Sequence, residues 1–197
     1  MMRWVWAVLV LAASPVFGQS ISGQQAESVL FGTNGESIQV DPELSDRDQA
    51  IIRRIVELSG SQFGQQLYYY GSIAWSPDEG LISDALQSSA NHHGVVAADT
   101  AALNACNAAR SDGTQACRIA ARILPAGYES RSFELSFGAT EAFLASYRRI
   151  NGEKALAISA LTGQFAVNSG ANAVQQAIDA CNNLSRGAND CRAAIVN

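Results

Sequence analysis

The 197-residue chain holds a single lysine, Lys154, and only two histidines, His92 and His93. Its 13 basic residues face 18 acidic ones, for a net charge of −5. A chain with so little positive charge lacks the basic footprint that nucleic acid or an anionic membrane surface demands. Four prolines exclude a collagen-like chain, and a hydrophobic content of 48% excludes a disordered one. Long apolar runs are missing as well. The one candidate, Trp4 to Ala13, is about half the roughly 20 residues that a spanning helix needs. There is no phosphate loop, dinucleotide fingerprint, His-Glu-x-x-His or Gly-x-Ser-x-Gly sequence. What remains is a small acidic protein, long enough to bury a core of its own.

The N-terminus reads as an export signal. Met1-Met2-Arg3 is a short basic start, Trp4–Ala13 is apolar, Ser14-Pro15 breaks the run, and Gly18 offers a small residue. The predicted cut lies between Gly18 and Gln19, which leaves a mature chain of charge −6 with no membrane span. No cysteine follows the cut, so the layout is not that of a lipid-anchored protein. The expected location is the periplasm or the cell exterior.

Two stretches of the chain match each other. Gly71-Ser-Ile-Ala-Trp-Ser-Pro-Asp-Glu-Gly80 aligns with Lys154-Ala-Leu-Ala-Ile-Ser-Ala-Leu-Thr-Gly163. Ala102-Leu-Asn-Ala-Cys-Asn107 aligns with Ala177-Ile-Asp-Ala-Cys-Asn182, and Cys117-Arg118 with Cys191-Arg192. Each copy reads as strand, strand, helix, strand. The first has its second strand at Leu81–Leu86, its helix near Ala97–Ala109 and its third strand at Cys117–Leu124, ended by Pro125. The second has Gln164–Val167, then a helix capped by Asn172 with Val174, Ala177, Ile178, Cys181 and Leu184 on one face, then Cys191–Val196. The offset between copies falls from 83 to 75, so the first carries eight extra residues, expected near Ser88–Gly94.

The remaining segments read as coverings. Asn34-Gly35 signals a hairpin within Phe31–Glu36. Ser45 caps a helix whose face shows Ile51, Ile52, Ile55, Val56 and Leu58, ending at Ser59-Gly60, with Arg53 and Arg54 solvated and Glu57 at pairing distance. Phe133–Phe137 alternates like a strand and Glu141–Ile150 reads as helix. The expected organisation is a signal at 1–18, a helical and hairpin segment at 19–65, the first copy at 66–127, a connecting strand and helix at 128–152, and the second copy at 153–197. The class is α+β in one compact unit.

Four cysteines in an exported chain favour disulfides, with three connectivities open. The repeat favours Cys106–Cys117 and Cys181–Cys191, each tying a helix end to the following strand, for about 2–3 kcal/mol per bridge. Spacings of eleven and ten are not those of a metal site.

The order Gly-x-Ile-Ala-x-Ser-x-x-x-Gly, alanine-rich helix, Cys, short loop, Cys and apolar strand resembles a secreted bacterial family, the domain of unknown function (DUF) 4189. The resemblance covers Gly71 to Pro125, with a shorter copy over Glu153 to Asn197. It implies a structural framework and brings no catalytic residues. The whole chain also resembles small exported proteobacterial proteins described as 5-aminolevulinate synthases. Its residues do not support that activity. The enzyme is a far larger pyridoxal-phosphate protein that needs a Schiff-base lysine, and Lys154 falls where a strand begins. No cofactor is expected.

Candidate chemistry is sparse. His92 or His93 is a possible general base or ligand, with Asp84 or Asp99 to orient it and Ser76, Ser88 or Ser89 as nucleophile; a polar loop before a helix is the simpler reading. Asp78-Glu79 are paired carboxylates or, more simply, turn residues. Tyr68-Tyr69-Tyr70 with Trp75 form an aromatic recognition surface for a peptide or glycan, or pack the core. Asn183-Leu184-Ser185 matches a glycosylation sequon in composition only. The chain therefore reads as a binding or envelope-associated module for a protein, peptide or glycan; a small hydrolase built on His92 or His93 is the alternative. The first expectation concerns processing: the intact mass of the exported protein should begin at Gln19, and a mature chain retaining Trp4 and Trp6 would contradict the signal.

Overall fold

A computed structural model describes residues 20–62 and 67–197; the leader and the Gly18–Gln19 junction lie outside them. In chain order the elements are β1 (Ile21–Ser22), α1 (Gly23–Val29), β2 (Glu36–Val40), α2 (Asp46–Gln62), β3 (Gly71–Trp75), β4 (Gln87–Ser89) and α3 (Val95–Ala109). Then follow β5 (Arg118–Pro125), α4 (Phe137–Ala145), a 3-10 turn (Tyr147–Arg149), β6 (Lys154–Ile158), β7 (Phe165–Ser169), α5 (Ala173–Leu184) and β8 (Arg192–Val196). Among the described residues no helix is long and apolar enough to cross a membrane.

The strands form two separate four-stranded sheets, ordered β2-β5-β3-β4 and β1-β8-β6-β7. All pairings are antiparallel except β1 with β8. Within them, β5-β3-β4 and β8-β6-β7 run in the same order. The register shifts between Ile73 and Ala74 in one sheet and between Leu156 and Ala157 in the other. Cys106 is bonded to Cys117 and Cys181 to Cys191, in each case closing the helix-to-strand loop.

Side-chain size sorts the layers. Strand alternation sends successive residues to opposite faces. On β6, Ala155 and Ala157 face Ala173, Ala177 and Cys181 of α5, while Leu156 and Ile158 face Ala139 and Phe143 of α4. On β3, Ala74 packs with Ala102 and Cys106 of α3, while Ile73 packs with Ile52 under α2. Each sheet thus carries a close helix on its alanine face and a bulkier covering on its large-residue face.

Ser45 does begin α2: its Oγ accepts the Asp48 N–H at 3.2 Å. The helix continues through Gln62, two residues past Gly60, and Arg54 pairs with Glu57 at 3.2 Å. Lys154 begins β6 and is buried. Its Nζ donates to the carbonyls of Tyr147 (3.0 Å) and Ile150 (2.7 Å), capping the 3-10 turn, and sits 4.7 Å from the Tyr147 ring centroid.

Several expectations are corrected. Leu81–Leu86 is a turn, not a strand; Leu81 and Ala85 are buried anchors, the Ser83 hydroxyl donates to the Gly80 carbonyl, and pairing starts only at Gln87. Aligned on the paired strands, Gln87 matches Ala166, so four extra residues lie in the β3–β4 connection and four before α3. Asn34-Gly35 makes no hairpin: α1 precedes it, and β2 pairs with β5 instead. Phe133–Phe137 is no strand, because Ser136 caps α4 by accepting the Ala139 N–H. Asn172 stands before α5 with φ of +66° and no side-chain cap. The buried stripe of α5 is Ala173, Ala177 and Cys181; Val174 and Leu184 face outward, since only small residues fit against the alanine face of β6. Residues 20–62 supply an edge strand to each sheet, β1 and β2.

Gly80 and Gly163, aligned with each other in the sequence, differ in surroundings. Both have positive φ (+77° and +71°). A Cβ at Gly80 meets nothing, but one at Gly163 would sit 2.4 Å from the Asn91 carbonyl oxygen. Gly80→Ala should cost about 1 kcal/mol of stability, from backbone conformation alone. Gly163→Ala should cost roughly 3 kcal/mol or more, because backbone must move as well. Urea unfolding of the two variants checks this; equal losses would contradict the close contact.

Candidate functional site

His92 and His93 sit where the two sheets meet. Asn91–His92 lies against Tyr68–Tyr70: Asn91 N donates to the Tyr68 carbonyl at 3.2 Å and His92 N to the Tyr70 carbonyl at 3.1 Å. From there the segment reaches across the molecule. The Asn91 side-chain oxygen accepts the Gly138 N–H at 2.9 Å, at the start of α4. His93 Nδ1 accepts the Ser136 N–H at 3.1 Å, and Nε2 lies 3.2 Å from the Gln164 carbonyl. A carbonyl only accepts, so the proton must reside on Nε2. Both ring nitrogens are thereby committed to backbone groups. Burial pushes the His93 imidazole down to about 4, against the opposing pull of the Gln164 carbonyl. Burial lowers His92 too, and its Nδ1 is buried with no hydrogen-bond partner.

The serines and carboxylates proposed as co-workers lie elsewhere. Ser88 and Asp84 are exposed. Ser89 Oγ donates to the Ala98 carbonyl at 2.7 Å. Ser76 Oγ and Trp75 Nε1 are buried without partners. Asp99 is held in a bidentate pair with Arg122 (2.8–3.1 Å) and accepts the Ser72 hydroxyl at 2.5 Å. Among the described residues, no serine hydroxyl is hydrogen-bonded to either histidine.

Asp78 and Glu79 form a clasp. Asp78 accepts the Gln115 backbone N–H (2.8 Å) and its side-chain amide (2.7 Å); Glu79 accepts the Ser111 N–H at 2.7 Å. The turn is thus tied to the disulfide loop. The turn at Ser159–Gly163 is tied from the other side: Asp190, in the Cys181–Cys191 loop, accepts the Ser159 hydroxyl (2.6 Å) and the Leu161 N–H (2.9 Å) of the turn. In Asn183-Leu184-Ser185, Ser185 is buried and donates to the Cys181 carbonyl at 2.8 Å.

The tyrosines divide. Tyr69 and Tyr70 are buried in a ring cluster with Phe137 and Tyr128. Tyr68 instead stacks on Phe137, with ring centroids 4.2 Å apart and planes 18° from parallel, and lines a cleft of about 500 Å³. The cleft's floor is Ile38 and Ile123, a directly paired couple on β2 and β5, and its far side is Val56 of α2. Trp75 lines a separate, smaller hollow beside Arg118 and Asp41.

Among the described residues one charged side chain lines the cleft, Glu36. Oε1 accepts the Tyr69 N–H at 2.9 Å. Burial raises its carboxyl above the ordinary range, against the lowering by that N–H. Sequence reasoning passed over Glu36, although a signal was present. In Glu36-Ser-Ile-Gln-Val40, alternation puts the carboxylate on the face of Ile38 and Val40, which packs inward.

No protein-family model, curated protein or solved structure matches the chain.

The position of His93 has a consequence for stability. The groups facing it are the Ser136 N–H, the Gln164 carbonyl, His92, Arg192 and Asp190, with Glu134 and Arg131 lining the adjoining hollow. The unfolded chain takes up the proton near pH 6.5, the native state only near 4. Between these values the unfolded state binds more protons, so stability falls as pH falls. His93 alone should remove roughly 2–3 kcal/mol between pH 7 and 4.5, and His92 acts in the same direction. The stability gap between wild type and His93→Gln, read by urea unfolding, should shrink towards pH 4.5; a constant gap would contradict this.

Proposed function

We propose that this chain is an exported, non-catalytic binding protein of the periplasm or cell exterior, and that its ligand seat is the cleft between β2, α2 and the Tyr68–Phe137 stack. The single observation that carries the reading is that stacked wall. It is an aromatic surface at a concave site of about 500 Å³, floored by aliphatic side chains, with one carboxylate converging on it. Pockets that seat small molecules combine these features. Two disulfides fit an oxidising compartment. The matched strand orders, register shifts and disulfides support two copies of one unit, the arrangement that the resemblance to DUF 4189 implies.

The hydrolase reading draws less support. A general base needs a free nitrogen within reach of its nucleophile. His93 spends both nitrogens on backbone groups, and the free Nδ1 of His92 is buried.

A thermal-shift screen with small peptides, peptidoglycan fragments, sugars and small aromatic compounds tests the reading. Ligands that raise the melting temperature should bind about tenfold more weakly to Tyr68→Ala, which removes one stacking face. Hits that bind this variant unchanged would place the ligand elsewhere and overturn the assignment of the cleft.

A further inference from the structure

The cleft has an electrostatic character that narrows its ligand. Glu36 projects from β2 on the inward face, in line with Ile38. One of its oxygens is occupied by the Tyr69 N–H. Among the described residues no arginine, lysine or histidine forms an ion pair with it. Around it the cleft is lined by Ile38, Val56, Ile123, Tyr68 and Phe137, with Thr33 and Gly35 as the other lining residues. A half-buried carboxylate in such a setting lacks the counter-charge that usually accompanies it. The raised carboxyl of Glu36, caused first by burial, reports the same deficit.

The rings point the same way. Aromatic faces carry negative potential and attract cations within about 6 Å. Phe137 covers one face of Tyr68, with the stack as a whole forming the wall of the cleft. The net charge of −5 adds a long-range field of the same sign. An anion entering would meet a carboxylate that has no cationic partner among the described residues, beside the ring stack. A neutral apolar body would leave Glu36 desolvated and unpaired. A cation answers all of these terms together.

From this we infer that the cleft takes a ligand bearing one positive charge, an ammonium or guanidinium, on a flat apolar body, with Glu36 as its counter-ion and Tyr68 as its stacking partner. This rests on the cleft being the ligand seat. Glu36 Oε2 meets the cationic hydrogens while Oε1 keeps the Tyr69 N–H. The apolar body lies over Ile38 and Ile123. No bond is made or broken.

The test uses three probes of nearly equal size with the full mature chain: 2-phenylethylammonium, 2-phenylethanol and phenylacetate. Binding is followed by NMR titration, which also locates the site. The ammonium should bind at least about tenfold more tightly than the alcohol, the worth of one charge-assisted contact. Phenylacetate should show no saturable binding. Glu36→Gln keeps an acceptor for the Tyr69 N–H, so the fold should persist. It should bring the ammonium to the level of the alcohol and leave the alcohol unchanged. Equal affinity of ammonium and alcohol for the wild type, or a preference that survives Glu36→Gln, would overturn the inference while leaving the cleft as a binding site. Shifts that map to the acidic surface around Asp41 and Glu43 would overturn it too. If no probe perturbs Tyr68, Ile38 or Ile123, both the inference and the seat fall together.

Discussion

The contact on which the rest of the molecule depends is the seating of Asn91, His92 and His93 against the turn at Gly163 and the first residues of α4. The two sheets share no strand, so their relative placement comes from packing and from this short segment. Its polar groups are matched one by one to backbone partners: Asn91 to Gly138, His93 to Ser136 and Gln164. Glycine at 163 lets the two backbones touch. By fixing Ser136 and Gly138, the segment also fixes Phe137 between them, and Phe137 is the backing of the cleft wall. The histidine segment therefore bears on the cleft wall through position.

The turns that end at Gly80 and Gly163 are held by similar means with the charges exchanged. In the first, carboxylates on the turn reach amides of the disulfide loop; in the second, a carboxylate on the loop reaches the turn. Such an exchange shows that the contact matters and that the side supplying the charge does not. It also accounts for Asp78 and Glu79 without any role in acid–base work.

Much of the architecture was legible because it rests on local signals. Ser45 before an amphipathic run, the alternation of Ile73, Trp75, Leu156 and Ile158, and the cysteines at matched positions all act over a few residues. The misread parts depend on distant partners. Leu81–Leu86 has strand-like composition, yet its anchors Leu81 and Ala85 are buried from a turn and offer no ladder to β3. Val174 and Leu184 fit a helical stripe, but the alanine face opposite admits only Ala173, Ala177 and Cys181. Phe133–Phe137 alternates, while Ser136 inside it starts a helix. Of the candidate site, Tyr68 stood out by composition. Glu36 was hidden because one inward carboxylate in a short strand looks like any surface charge until its neighbours are known.

The pairing of Ile21 with Ile195 places β8 174 residues away from its partner β1 along the chain. That strand, β8, lies inside its sheet and not at its rim. A polypeptide threaded across a membrane from its N-terminus delivers Ile21 first and Ile195 almost last. The sheet can then close only when nearly the whole chain has emerged, whereas every strand of the other sheet has arrived by Pro125. Folding as the chain emerges would therefore proceed in two stages, with the cleft-bearing sheet assembled early and the second waiting for the chain's end. Loops with such long sequence separation are slow to close. In the interval Ala26 of α1 and the apolar face of α4 would stand open to solvent, the period in which the chain is most exposed to proteases and to other copies of itself.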